Sequence, residues 1–235
     1  MKSILFTLIL ALSFQASYAQ SDSIRNDKTV SKPFLKKEIV PISFIAVGSL
    51  LNIGTLKHHI EDAIPETHTT VENYLQYAPM AEMYLFDAAG VKHLNTVFDQ
   101  TKYLLITQLA SGIIAQTLKM TTKVARPNGA TTSFPSGHTT LAFAGATVLY
   151  HEFIDTDPWV AYSGFVIATA TGFLRLTNRK HWLQDVLTGA GIGILTADVV
   201  YYLKPLKKLE LKSGKGKVSF LPAVGYKSFS LACNF

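Results

Sequence analysis

Three short stretches hold the side chains most capable of chemistry. "SFPSGHTT", residues 133–140, sets Pro135, Ser136, Gly137 and His138 in consecutive positions at the start of the apolar run "LAFAGATVLY". Backbone N–H groups at a helix N-terminus, beside a glycine that lets a ligand approach, make a ready anion cradle. The same residues read equally as a tight turn, with Ser136 capping a helix that opens near Thr139. "KMTTKVARP", residues 119–127, places Lys119 and Arg126 seven positions apart, on one face if a helix ran through both. Pro127 disfavours helix at Arg126 and puts that arginine at a helix end facing a loop. Two cations closing a helix also suit the C-terminal end of its dipole, with no further role. "RLTNRKHWLQDV", residues 175–186, spaces His181 and Asp185 at i, i+4, so both can project from one face at the start of a helix. A carboxylate there fixes which ring nitrogen stays available to react, although such a pair is also a common surface contact.

The elements that must position these residues are helical and apolar. Charged residues are 16% of the 235 and hydrophobic ones 48%. With a mean hydropathy of +0.22, the chain is more apolar than an ordinary soluble domain. Apolar segments run over about 39–56, 102–118, 139–155, 159–176 and 183–203, each near the ~20 residues needed to cross a bilayer and also compatible with long core helices. Between the first two, residues 57–101 are more polar, with an amphipathic middle broken by Pro79 and Gly90. The expected fold is all-α: a bundle of about six long helices, partly or wholly membrane-embedded, with a short β-prone C-terminal tail that could form a hairpin around Pro222 and Gly225. Residues 1–19 read as a signal peptide: a lysine, the apolar stretch Ile4–Phe14, then small residues before Gln20; an uncleaved anchor is the alternative. Residues 20–37 read as a polar linker, 38–203 as the helical domain and 204–235 as the basic, β-prone tail.

The net charge of +6 suits an anionic partner. The basic residues do not alternate with aromatics along one face, so nucleic acid is not expected. The only cysteine, Cys233, allows neither an internal disulfide nor a cysteine-based metal site. His58, His59, His68, His93 and His151 lie in polar loops or helix ends without matched partners and are expected to be solvated.

Each motif alone has a bland reading, but together they do not. The order Lys-x6-Arg-Pro, Pro-Ser-Gly-His, Arg-x5-His-x3-Asp resembles the three-part signature of the type 2 phosphatidic acid phosphatase superfamily, which includes the class A acid phosphatases and the vanadium haloperoxidases. The resemblance covers 119–185 by motif and about 36–203 by helix pattern. One departure is Leu174, where the family usually has serine or another small residue, so one hydroxyl contact to phosphate is in question. Arg179 could add a contact, although the spacing favours Arg175 as the motif arginine.

The resemblance implies a metal-independent phosphatase without cofactor. His181 would be the nucleophile that forms a phosphohistidine, and Asp185 would orient it. His138 would be the acid that protonates the leaving alkoxide and the base for the following water. Lys119, Arg126 and Arg175, with Ser136 and Gly137, would bind the phosphate. Two histidines and a carboxylate could in principle hold iron or zinc, but three neighbouring cations oppose a dication.

The implied substrate is an envelope lipid phosphate: phosphatidate, phosphatidylglycerol phosphate, undecaprenyl pyrophosphate or a lipid A phosphate. If the leader is cleaved and residues 57–101 do not span, the motifs fall outside the cytoplasm and the basic "KPLKKLELKSGKGK" inside. That places the protein in the inner membrane with its site facing the periplasm. The rivals are a soluble periplasmic acid phosphatase of broad specificity, a vanadate-dependent haloperoxidase and a headgroup binder without turnover.

Overall fold

The caps of the helices follow from side-chain chemistry. In a computed structural model, residues 38–51, 56–203, 219–225 and 228–234 are described; the signal-peptide and linker readings for 1–37 lie outside them. Among the described residues are eight helices: α1 (Ile39–Leu51), α2 (Leu56–Asp62), α3 (Glu72–Leu75), α4 (Ala78–Ala88), α5 (Val97–Thr122), α6 (Gly137–Phe153), α7 (Pro158–Thr177) and α8 (Leu183–Tyr202). Thr96 caps α5 by accepting from the Asp99 N–H at 3.2 Å. Asp157 caps α7 through Trp159 N at 3.1 Å and Val160 N at 3.3 Å, and Pro158 follows where its missing N–H costs nothing. Lys123 ends α5 in the left-handed region, φ 49°.

The all-α expectation holds, with two changes of boundary. Helix α5 runs 26 residues, from five positions before the expected segment to Thr122, because Thr96 and Asp99 start it early. The amphipathic stretch is broken as expected, at Gln76–Tyr77 between α3 and α4, just ahead of Pro79. Pro79 lies in the first turn of α4, where no intrahelical donor is needed, while Gly90 at φ +81° provides the exit.

Helices α6 and α8 form the centre, packed on each other, with α7 and α5 against α6, α1 against α8, and α4 against α6 and α7. They run parallel and close. A Cβ at Gly189 would stand 2.7 Å from the Ser136 carbonyl oxygen, and one at Gly193 would stand 2.5 Å from that of Thr140. The core has two apolar clusters, one around Leu149, Phe153 and Met83 and the other around Phe143, Ala146 and Ile194. Both the N-termini of α6 and α8 and the C-termini of α5 and α7 carry the motif residues, so the motifs meet at one end of the bundle.

The chain divides into two units, Met1–Tyr202 and Leu203–Phe235. In the second, β1 (Ser219–Gly225) pairs antiparallel with β2 (Ser228–Asn234), from Ser219↔Asn234 to Gly225↔Ser228. The β-prone tail does form a hairpin. Pro222 is tolerated because each strand of a two-stranded sheet has one unpaired edge.

Candidate active site

Asp185 is placed by a helix start. It is the third residue of α8, and its Oδ2 accepts the Trp182 N–H at 3.0 Å, reaching back to the capping position as an acidic third residue does. The same oxygen lies 3.3 Å from His181 Nδ1 and accepts from Ser133 Oγ. His181 itself stands just before the helix, so the i, i+4 pair closes across the first turn and not along a helical face. Its main-chain N–H donates to the Arg175 carbonyl at 3.3 Å. The ring is 2% exposed. Burial lowers the His181 pKa to about 4 despite Asp185, with Arg175 and Lys119 adding to the fall. The imidazole is therefore neutral at pH 7, as a nitrogen nucleophile must be.

The PSGH turn is tied to this pair by the Ser136 N–H, which donates to the Asp185 carbonyl at 2.9 Å. Ser136 caps α6, accepting from Thr139 N at 3.5 Å and from the Thr139 hydroxyl at 2.9 Å. Nothing lies within 4 Å of the position a Cβ would take on Gly137, which leaves the helix N-terminus open to close approach by an anion. Burial, together with Arg175, lowers the His138 pKa to about 4.

The cations divide in their duties. Lys119 donates to the carbonyls of Thr132, Ser133 and Pro135 at 3.3, 3.1 and 2.8 Å, so it holds the loop that carries the turn. Burial lowers its pKa to about 8, with Arg126 contributing. Arg126 is in the loop after α5, so no helix runs from Lys119 through it. Arg175 is 4% exposed near the end of α7. The Nε atoms of Arg126 and Arg175 are buried without a hydrogen-bond acceptor, and such donors fit the oxygens of a phosphate. Arg179 is occupied elsewhere, donating to the carbonyls of Glu61 at 2.6 Å and Ile64 at 3.0 Å, which removes it as an extra phosphate contact. Leu174 uses its carbonyl to accept from Asn178 N at 3.0 Å.

The structure thus gathers His138, His181, Asp185, Lys119, Arg126, Arg175, Ser136 and Gly137 at one end of the bundle. It adds three residues that spacing could not reveal. Ser133 bonds Asp185. Glu72 is fully buried, with Oε1 at 2.8 Å from Lys180 Nζ and 3.4 Å from Arg175 Nη1. Burial opposes its charge, but Lys180 and Arg175 hold its carboxyl below the usual range. Asn73 meets His138. The last two come from a segment more than 40 residues before the PSGH turn, and only their burial in the fold identifies them.

Two of the histidines expected to be solvated are instead half-buried against partners. His151 Nε2 is 2.6 Å from Asp198 Oδ1, and its ring stacks on Tyr201 at 4.3 Å. His93 Nδ1 bonds the Asn95 carbonyl. The partners of His151 come from another helix, so the sequence around it carries no sign of them, whereas His93 bonds a carbonyl two residues along in its own loop.

Comparison with known proteins places this end of the bundle in context. The profile of the PAP2 superfamily matches residues 100–208. The lipid A 1-phosphatase of Porphyromonas gingivalis is 33% identical over 169 residues, 67% of this chain and 38% of that protein. The chain therefore spans little more than a third of that relative's length. Among solved structures, Aquifex aeolicus LpxE is 21% identical with a TM-score of 0.47, covering 63% of this chain and 93% of its own. A transmembrane PAP2-type phosphatidylglycerolphosphate phosphatase from Bacillus subtilis is 19% identical with a TM-score of 0.43, covering 88% and 96%.

Proposed function

Because the chain belongs to the PAP2 superfamily, we propose that it removes phosphate from an envelope lipid, without a metal and through a phosphohistidine. The observation that carries this reading is the buried His181–Asp185 pair, its imidazole neutral, with two guanidinium groups at the same end of the bundle that have unmet N–H donors. A lipid A-type phosphate heads the substrate list, on the 33% identity to a lipid A 1-phosphatase. Phosphatidate and undecaprenyl pyrophosphate follow.

In this mechanism Asp185 holds Nδ1 of His181, so Nε2 attacks phosphorus. The phosphorus–oxygen bond to the lipid breaks as the P–N bond forms. His138 gives its proton to the departing oxygen, then takes one from the water that cleaves the P–N bond and frees inorganic phosphate. Burial and Arg175 keep His138 neutral before substrate binds. An arriving phosphate anion favours its protonated form, so substrate binding itself readies the acid. Arg126, Arg175 and the Gly137 N–H stabilise the equatorial oxygens as charge spreads over them, while Lys119 adds its charge and holds the loop.

Helices α7 and α8 are long and apolar enough to span a bilayer. Trp159 and Val166 on α7, 86% and 71% exposed, would face acyl chains. A lipid could then stay in the bilayer while its headgroup reaches the end of the bundle, on the periplasmic side in this reading. The test is phosphate release in EDTA by wild type and His181→Ala, over lipid A, phosphatidate, undecaprenyl pyrophosphate and one soluble monoester. The expected result is release by wild type alone and preference for a lipid. Preference for the soluble ester would point to an acid phosphatase of broad specificity, and no release at all would remove the enzyme reading.

A further inference from the structure

His138 has a partner that lies outside the three motifs. Its Nε2–H donates to Asn73 Oδ1 at 3.1 Å. Asn73 is in α3, and that short helix is firmly held. The Asn73 N–H donates to the Thr70 carbonyl at 3.0 Å, and its own carbonyl accepts from Gln76 Nε2 at 2.7 Å. Next to it, Glu72 pairs with Lys180 and Arg175. The strand of chain before α3 is laced to the α7–α8 loop by Thr67 N to the Thr177 carbonyl at 2.8 Å and by Thr69 N to Asn178 Oδ1 at 3.0 Å. Asn178 Nδ2 returns a bond to the Thr69 carbonyl at 3.0 Å.

We propose that Asn73 is a positioning residue for His138, aligning the ring that delivers a proton to the leaving oxygen. The proposal rests on the phosphatase reading above. The two histidines are held by different acceptors, and the difference fits their tasks. Asp185 is charged and favours an imidazolium at His181, which becomes positive when it bonds phosphorus. Asn73 is neutral, so it orients His138 without strongly favouring its charged form, and an acid that must give up its proton gains from that. The charged groups facing His138 are Arg175 from α7, Glu72 from α3, Lys180 from the α7–α8 loop and Lys119 from α5. All of them remain when Asn73 is changed.

The experiment compares two substrates that differ in their need for an acid, using the full chain in detergent. p-Nitrophenolate departs without a proton, whereas the alkoxide of dodecyl phosphate requires one. The parameter is kcat/KM, which covers only the steps up to phosphohistidine formation. Asn73→Ala should lower kcat/KM for dodecyl phosphate about 10- to 100-fold and for p-nitrophenyl phosphate less than about 3-fold. Asn73→Asp, which keeps an acceptor, should recover much of the loss on dodecyl phosphate and move its pH dependence upward, since a carboxylate raises the imidazole pKa. Equal losses on both substrates in Asn73→Ala, or an Asp variant no better than Ala, would overturn the proposal while leaving the phosphatase reading intact. Wild type inactive on both esters and on the lipids would overturn that reading itself.

Discussion

Two histidine–carboxylate pairs stand at opposite ends of α6 and α8, His181–Asp185 and His151–Asp198, and only one of them has the surroundings for phosphoryl transfer. His181 and Asp185 stand at the N-terminal end of α8; His151 and Asp198 stand roughly 20 Å further along the helices, at 1.5 Å per residue. The distal pair is the shorter, 2.6 Å against 3.3 Å. Yet its neighbours are Tyr201, stacked on His151, and the buried Glu152, which accepts from Tyr201 Oη at 2.5 Å and from Asn95 N at 2.9 Å. Those are rings and carboxylate, which repel a phosphate. The proximal pair has Arg175 and Lys119 as charged neighbours. A close His–Asp contact does not define an active site; the sign of the charge around it does.

The largest test of that contrast is to disable each pair in turn. His181→Ala should lower kcat by at least roughly 10³-fold and Asp185→Asn by about 10²- to 10⁴-fold, as losses of a nucleophile and its orienting acid do. His151→Ala should leave kcat within about 3-fold, since it touches none of the reacting groups in this mechanism. Comparable losses at both ends would collapse the distinction.

The arginines sharpen it further. Arg175→Gln should reduce kcat by about 10²- to 10³-fold, the scale of one lost transition-state donor. Arg179→Gln, four residues on, should act instead on the thermal midpoint by freeing the carbonyls of Glu61 and Ile64.

A smaller effect is a shift in pH. Neutral His181 is the reactive form and Lys119 must be charged. With pKa values of about 4 and about 8, kcat/KM for p-nitrophenyl phosphate, whose leaving group needs no proton from His138, should fall below the first and above the second once corrected for substrate ionisation. Lys119→Arg keeps its charge at higher pH and should carry the alkaline limb upward; a limb that stays in place would assign it to another group. At the distal end, Glu152→Ala should cost stability, about 1–3 kcal/mol for a buried donor left unmet, read as a lower unfolding midpoint with kcat of the folded fraction unchanged.

The contrast also marks what the sequence can disclose. That His138, His181 and Asp185 would meet was legible because their motifs have fixed local spacing, and the helical bundle was legible because its apolar runs are long. The Ser136 cap followed from the same logic of residue type and position. Lys119 was found for its charge, but its bonds to three loop carbonyls depend on how residues 132–135 fold back. Asn73, Glu72 and Ser133 escaped because nothing local sets them apart: each matters through a partner 48 to 108 positions away. The His151 contact was hidden for the same reason, with Asp198 47 positions away. The break at Pro79 was legible but its exact place was not, because a proline ends a helix or begins one according to where the first turn falls.

The close backbone approach of α6 and α8 at Gly189 and Gly193 has a further consequence. The helix that begins beside His181 and the one that carries His138 meet main chain to main chain at these two glycines, where no Cβ holds them apart. A bilayer that thickens, thins or changes its acyl composition can tilt this pair only as one body. In the proposed mechanism, His138 and His181 should therefore keep their alignment in very different membranes, and changes in lipid environment should register in how readily a substrate arrives, in KM, before they register in kcat.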